Sequence, residues 1–241
     1  MTIPAPDLSH YRPCDGRCRC SHHNGVLGID SSHLFLLARS AAVDADAAGQ
    51  LLELLRAHTC AGQRRLVTSV TCLDDECFRA VGPAVLGKER VSISDICSGI
   101  GYSEVRSIIE LLPETAHDDL PEKINVRGTV LSLDRGERSL VQALGDEDGA
   151  VIVTNDEDAF DAIWELMETG VVPHVPVMSL ALMEYMYMCQ ALTADQAVLV
   201  CDQAVATMDP RISEAKRRRK VRHAEDVVQR IVLAEAKRSL A

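Results

Sequence analysis

The chain has 241 residues, of which 47% are apolar but only 3% aromatic, so its core must be built from Leu, Val, Ile, Ala and Met. No apolar run approaches the roughly 18 residues that a membrane span needs. The formal net charge of −11 is uneven: residues 211–241 carry 10 basic and 4 acidic side chains, a net +6 that leaves −17 on the first 210. An acidic body of that kind repels nucleic-acid phosphates unless metal ions or local basic patches intervene.

Residues 1–25 contain Pro4, Pro6, Pro13 and a Cys/His cluster and read as an irregular N-terminal arm. They lack the basic start and apolar stretch of a secretory signal, which predicts a cytoplasmic protein. The nine cysteines are an odd number, and Cys60, Cys72, Cys77, Cys97, Cys189 and Cys201, scattered through apolar surroundings, are expected as buried free thiols.

Val26-Leu27-Gly28-Ile29 predicts a buried strand ending at Asp30, with Ser31 placed to cap a helix over 33–42. An amphipathic helix is expected over 44–58 and a second strand over 66–70. Thr71 and Asp74 have capping-box spacing, predicting a helix over 72–81 that carries Asp74, Asp75 and Glu76. Val91-Ser92-Ile93 alternates like a short strand, 103–112 reads as helix, and Pro113–Pro121 as a polar loop. A helix over 138–144 starts near Gly136, a strand runs over 149–154, a helix over 159–168, and a last strand over 171–177. From Ser179 onward only helices are expected. Strands alternating with helices predict an α/β fold, a small parallel sheet sandwiched by helices (residues 26–178) with a helical C-terminal extension (179–241).

In open parallel sheets the functional crevice lies beyond the carboxyl ends of the strands, where Asp30 and Asp156 fall. Glu76 and Glu137 sit on helices soon after a strand and a glycine turn. Carboxylates brought together repel one another, and a hard cation such as Mg²⁺ or Mn²⁺ relieves that repulsion. It can also activate water and stabilise the oxyanions of a phosphoryl displacement. Asp74 and Asp75 compete with Glu76 for this role, as Asp134 does with Glu137. Each residue also has a plain structural use: Ser31 and Asp156 as helix caps, Glu137 as an acid in a first helical turn.

Asp30-Ser31-Ser32 after a strand, Glu76 after Thr68-Ser69, Gly136-Glu137 opening a helix and Thr154-Asn155-Asp156 after a strand resemble a PIN domain. The piece from Leu133 to Leu182 is the most specific, and the resemblance covers residues 26–208 by order of elements. It implies a PIN-like α/β fold and a Mg²⁺- or Mn²⁺-dependent ribonuclease, often the toxin of a toxin–antitoxin pair. Asp30, Glu76, Glu137 and Asp156 would be metal ligands, with Asp158 a further one and Thr154 and Ser31 orienting ligands or water. RNA is the implied substrate; an antitoxin or other protein partner and a homodimer are the partners considered. The alternative is a catalytically inactive PIN-like module that binds a protein or nucleic acid.

Arg135 and Arg138, near the crevice, and Arg217, Arg218 and Arg219, in the basic run Lys216–Arg222, are candidate substrate contacts. Arg64 and Arg65 are also expected near the crevice. The basic run opens a helix with Val228, Ile231 and Val232 expected on one buried face. Cys14, Cys18, Cys20 and His22 are zinc-type ligands, but their crowding within ten residues favours a polar arm over a Zn²⁺ site. Met178, Met183, Met186 and Met188, with Tyr185 and Tyr187, are expected as core or subunit interface. No Walker or dinucleotide glycine signature is present.

Overall fold

Val26–Ile29 (β1) is buried at all four positions, as a strand covered on both faces should be. In the computed structural model, which describes residues 25–59, 64–79, 91–113, 120–121, 123–126, 128–145, 147 and 149–240, β1 is the centre of a sheet. In chain order the further strands are β2 (Arg65–Ser69), β3 (Glu110–Leu112), β4 (Lys123–Val126), β5 (Thr129–Ser132), β6 (Val151–Thr154) and β7 (Val175–Met178). The five-stranded sheet has the order β3-β2-β1-β6-β7 and every pairing in it is parallel. β4 and β5 form a separate antiparallel hairpin.

The helices are α1 (Ser31–Ala41), α2 (Ala47–His58), α3 (Ile93–Ile96), α4 (Tyr102–Arg106), α5 (Arg135–Leu144), α6 (Glu157–Glu168), α7 (Ser179–Met188), α8 (Ala194–Ala206) and α9 (Glu214–Ser239). Thr71–Phe78 winds as a π-helix. The fold class expected from sequence, a parallel sheet flanked by helices with a helical C-terminal segment, is observed. The chain divides into two compact units, one of residues 25–179 and one containing residues 180–240.

In the first unit, Leu140, Val141 and Leu144 of α5 and Ala159, Ile163 and Leu166 of α6 share a buried cluster with Val26, Val67 and Ile152 of the sheet. α5 approaches β1 closely: a Cβ on Gly28 would lie 2.9 Å from Leu144 Cδ1, so only glycine fits there without a shift. The hairpin packs on α6. The alternate residues of β1, Leu27 and Ile29, are equally buried.

A buried hydrogen-bond chain runs through α1 and α2. His58 Nδ1 lies 2.7 Å from the Leu54 carbonyl, which can only accept, so this nitrogen carries the proton. His58 Nε2 therefore accepts from His33 Nε2 at 3.0 Å, and His33 Nδ1 accepts from the Ser179 hydroxyl at 2.8 Å. Burial lowers both imidazoles, His58 to about 4 and His33 well below its ordinary value. Both rings are neutral in the fold.

Four local expectations are overturned. Val91–Ile93 is not a strand, because Ser92 and Asp95 form a capping box that starts α3. Residues 103–112 do not make one helix: α4 ends at Arg106 and the chain enters β3. Thr71 and Asp74 form no capping box; Val70 precedes the π-helix without a side-chain cap. Ser31 does not cap α1; Asp30 does, accepting from Ser32 N.

In the second unit α8 packs on α9. The buried face of α9 is Ala224, Val227 and Ile231, not the expected Val228, Ile231 and Val232, since Val232 is 55% exposed. Tyr187 donates to Glu235 at 3.0 Å, with the Arg238 guanidinium 4.7 Å over its ring, and Arg230 makes a paired contact with Glu184. Met183 and Met186 are buried. Among the described residues no helix is long and apolar enough to cross a membrane.

Candidate functional site

From β1 the chain moves to β2 and β3 on one side, while β6 and β7 lie on the other, so the strand order reverses between β1 and β6. A crevice forms at such a switch point, outside the carboxyl ends of the strands. Asp30 is the first residue beyond β1, and Asp156 the second beyond β6.

A hydroxyl network joins the two strand ends. Asp30 Oδ2 accepts from Ser32 N at 3.2 Å, from the Ser32 hydroxyl, and from Thr154 Oγ1 at 3.1 Å. Ser32 Oγ accepts from Asn155 N at 2.9 Å, and Thr154 Oγ1 from Asp156 N at 3.0 Å. Asp30 is 2% exposed, and its other oxygen, Oδ1, is buried without a hydrogen-bond partner. Burial, with the nearby Asp134 charge adding to it, raises the Asp30 carboxyl to about 6 against the pull of Ser32 and Thr154. The orienting serine is thus Ser32, not Ser31.

α5 brings in the next pair. Asp134 accepts from Glu137 N at 2.8 Å, and Glu137 Oε2 accepts from Asp134 N at 2.7 Å, a reciprocal capping box. Asp134 and Glu137 are therefore partners rather than competitors. Glu137 is 8% exposed, and its carboxyl is pushed up to about 9 by burial and then by the charges of Asp30, Asp134 and Asp156. The fold brings these four carboxylates into mutual repulsion.

Glu76 reaches the same region from the π-helix. Its carboxylate lies against Gly136: a Cβ there would fall 2.5 Å from Oε2 and 2.6 Å from Oε1. Cys72 sits between the acids, its thiol raised by burial and by the charges of Asp30 and Glu76, and donates to the Gly136 carbonyl at 3.3 Å. Asp75 points elsewhere, to Arg79 at 3.6 Å and Arg135 at 3.7 Å. Asp74 faces Tyr102, whose hydroxyl it raises together with burial. Asp158 is exposed and gives its backbone N–H to Asp156 Oδ1 at 2.8 Å.

Three of the acids cap helices, Asp30 on α1, Asp134 on α5 and Asp156 on α6, so each meets the positive end of a helix dipole. That offsets part of the repulsion. The donor set is all oxygen, which suits a hard cation, and Asp30 Oδ1 is a buried acceptor with nothing to accept. As they stand, no three His, Cys, Asp or Glu side chains among the described residues form a group that could hold an ion.

Of the basic candidates, Arg135 is 71% exposed in its loose pair with Asp75, while Arg138 has its Nε buried without a hydrogen-bond partner. Arg65 is the first residue of β2, at the amino end of the sheet and opposite the crevice, where it pairs with Glu110 and Glu147. Arg64 precedes it at that same end, so neither arginine reaches the crevice. Arg217, Arg218 and Arg219 lie on α9 in the second unit. Cys14, Cys18, Cys20 and His22 lie outside the described residues. Ser32 was not singled out from sequence, and Asp134 was weighed only as an alternative to Glu137; the Asp-x-x-Glu spacing of 134–137 is the signal that makes them a pair. In comparisons with known proteins, the chain matches no family model, no curated protein and no solved structure.

Proposed function

We propose that residues 25–179 are a PIN-like, Mg²⁺- or Mn²⁺-dependent ribonuclease that hydrolyses RNA phosphodiester bonds in the cytoplasm, of the kind that acts as a toxin held by an antitoxin partner. The observation that carries this reading is the buried, unpartnered Oδ1 of Asp30 at the switch point, on a carboxyl whose charged neighbours include Asp134 and Glu137. Asp30, Glu76, Glu137 and Asp156 would hold the ion. When bound, it would supply an activated water and stabilise charge on the phosphoryl oxygens. Ser32 and Thr154 fix the orientation of Asp30 through its Oδ2, leaving Oδ1 without a hydrogen-bond partner. The capping box fixes the starting position of Glu137.

One observation favours a second reading, a non-catalytic module that binds a partner. Asp30, Asp134, Glu137 and Asp156 all have structural duties at helix starts, and no three donors are gathered for an ion.

Calorimetric titration with Mn²⁺ of the wild type and of Asp156→Asn, with cleavage of end-labelled RNA followed in parallel, separates the two. The nuclease reading expects Mn²⁺ binding and Mn²⁺-dependent cleavage, both lost in Asp30→Asn and Asp156→Asn while the melting transition is kept. A well-folded wild type that takes up no Mn²⁺ refutes it and leaves the binding module.

A further inference from the structure

The basic run of α9 is placed where a helix least favours it. Lys216 and Arg217 stand in and just beyond the first turn, at the positive end of the helix dipole, where cations are unfavourable. Six Lys or Arg side chains fall within residues 216–222, about 9 Å of helix at 1.5 Å per residue. No acid occurs between residues 215 and 224. Arg218 pairs with Glu214 at 3.0 Å, but both side chains are more than half exposed, so the pair contributes little. Lys216, Arg217 and Lys220 are half-buried, while the fully buried residues of α9 lie further on, at Ala224, Val227 and Ile231.

Helical geometry puts Arg218, Arg219 and Arg222 on the side away from that buried face, and all three are exposed. Arginines clustered and exposed on one face of a helix are the electrostatic footprint of nucleic-acid binding. We propose that this arginine face of α9 binds the phosphate backbone of single-stranded RNA. The charge supplies the complement of a polyanion. The face lacks the apolar side chains with which an amphipathic helix inserts into a lipid surface. Among residues 214–222 the exposed apolar residue is Ala215, and the exposed Val232 and Leu233 begin ten residues beyond Arg222, about 15 Å along the axis. Such binding needs no metal and no intact crevice, so it stands or falls apart from the nuclease reading.

The test uses the full chain, a fluorescein-labelled 20-nucleotide poly-uridine RNA and anisotropy in EDTA between 50 and 200 mM KCl. Each neutralised phosphate on a single strand contributes a slope of about −0.7 in log affinity against log salt. Three contacts give the wild type about an 18-fold loss of affinity over that range. The variant R218Q/R219Q/R222Q should show a slope shallower by about 2 and at least a tenfold weaker affinity at 50 mM. The lysine counterpart R218K/R219K/R222K should keep the wild-type slope, and circular dichroism checks that all three chains are equally helical. An unchanged slope in the glutamine variant overturns the proposal, as does absence of wild-type binding at 50 mM. Tighter capture of the wild type by phosphatidylserine vesicles than by RNA overturns it in favour of a lipid surface.

Discussion

Replacing Glu137 by Gln should make the protein more stable, by an amount that grows with pH. In the fold the Glu137 carboxyl keeps its proton up to about pH 9, because it is buried and faces Asp30, Asp134 and Asp156; its ordinary value is 4.5. Between those values the folded chain holds one proton more than the unfolded chain, so stability is full below about pH 4.5 and falls as pH rises. The slope is about 1.4 kcal/mol per pH unit, or about 2.7 kcal/mol between pH 5 and 7. Wild-type melting alone will hide this. His33 and His58 are held neutral in the fold but charge in the unfolded chain below 6.5, so their contribution is lost as pH falls, the opposite direction over the same window. The difference between wild type and Glu137→Gln removes the histidines. Gln keeps the acceptor that the Asp134 N–H uses, and any fault in placing its amide is independent of pH. At roughly 2–4 °C per kcal/mol for a chain of this size, the gap between the two melting temperatures, measured in EDTA, should widen by roughly 5–11 °C from pH 5 to pH 7. A gap that stays constant across that window would mean Glu137 is ionised throughout, and the mutual repulsion argued for the crevice would be wrong.

Two further substitutions address how the site is held. Ser32→Ala removes a donor to Asp30 and the acceptor of the Asn155 N–H, so urea unfolding at pH 7 should show a loss of about 1–3 kcal/mol; a loss below about 0.5 kcal/mol would contradict the network. Gly136→Ala should leave stability within about 1 kcal/mol, since the obstructing atoms are the mobile tip of Glu76 and alanine favours the helix. It should weaken Mn²⁺ binding by about tenfold if Glu76 is a ligand, the scale on which supporting groups tune metal sites. Calorimetry showing wild-type affinity in this variant would exclude Glu76 from the set.

The sheet was legible where burial on both faces writes an uninterrupted apolar run, as in Val26–Ile29 and Val151–Thr154, and the acids that follow those runs were placed at the crevice from sequence. β3 was not, because three residues with only Leu112 buried leave no pattern to read. The hairpin was missed for a related reason: of its eight strand residues only Ile124 is buried. At Val91–Ile93 alternation competed with the Ser92/Asp95 capping box, and the cap prevailed. Ser31 and Ser32 are indistinguishable by type; only the helix geometry after Asp30 turns the second toward Thr154. Pairing of distant groups, such as His33 with His58, follows from tertiary packing that no local pattern encodes.

The π-helix at Thr71–Phe78 has a consequence for how Glu76 came to the crevice. Winding with i→i+5 bonds takes more residues per turn than an α-helix, so each position points in a direction that 3.6-residue periodicity does not give. Glu76 therefore depends on the winding of its segment as much as on its own identity. The same residues wound with i→i+4 bonds would keep every side chain chemically intact and turn the carboxylate off Gly136. The placement of this acid is thus open to change through backbone winding alone, with no substitution at Glu76.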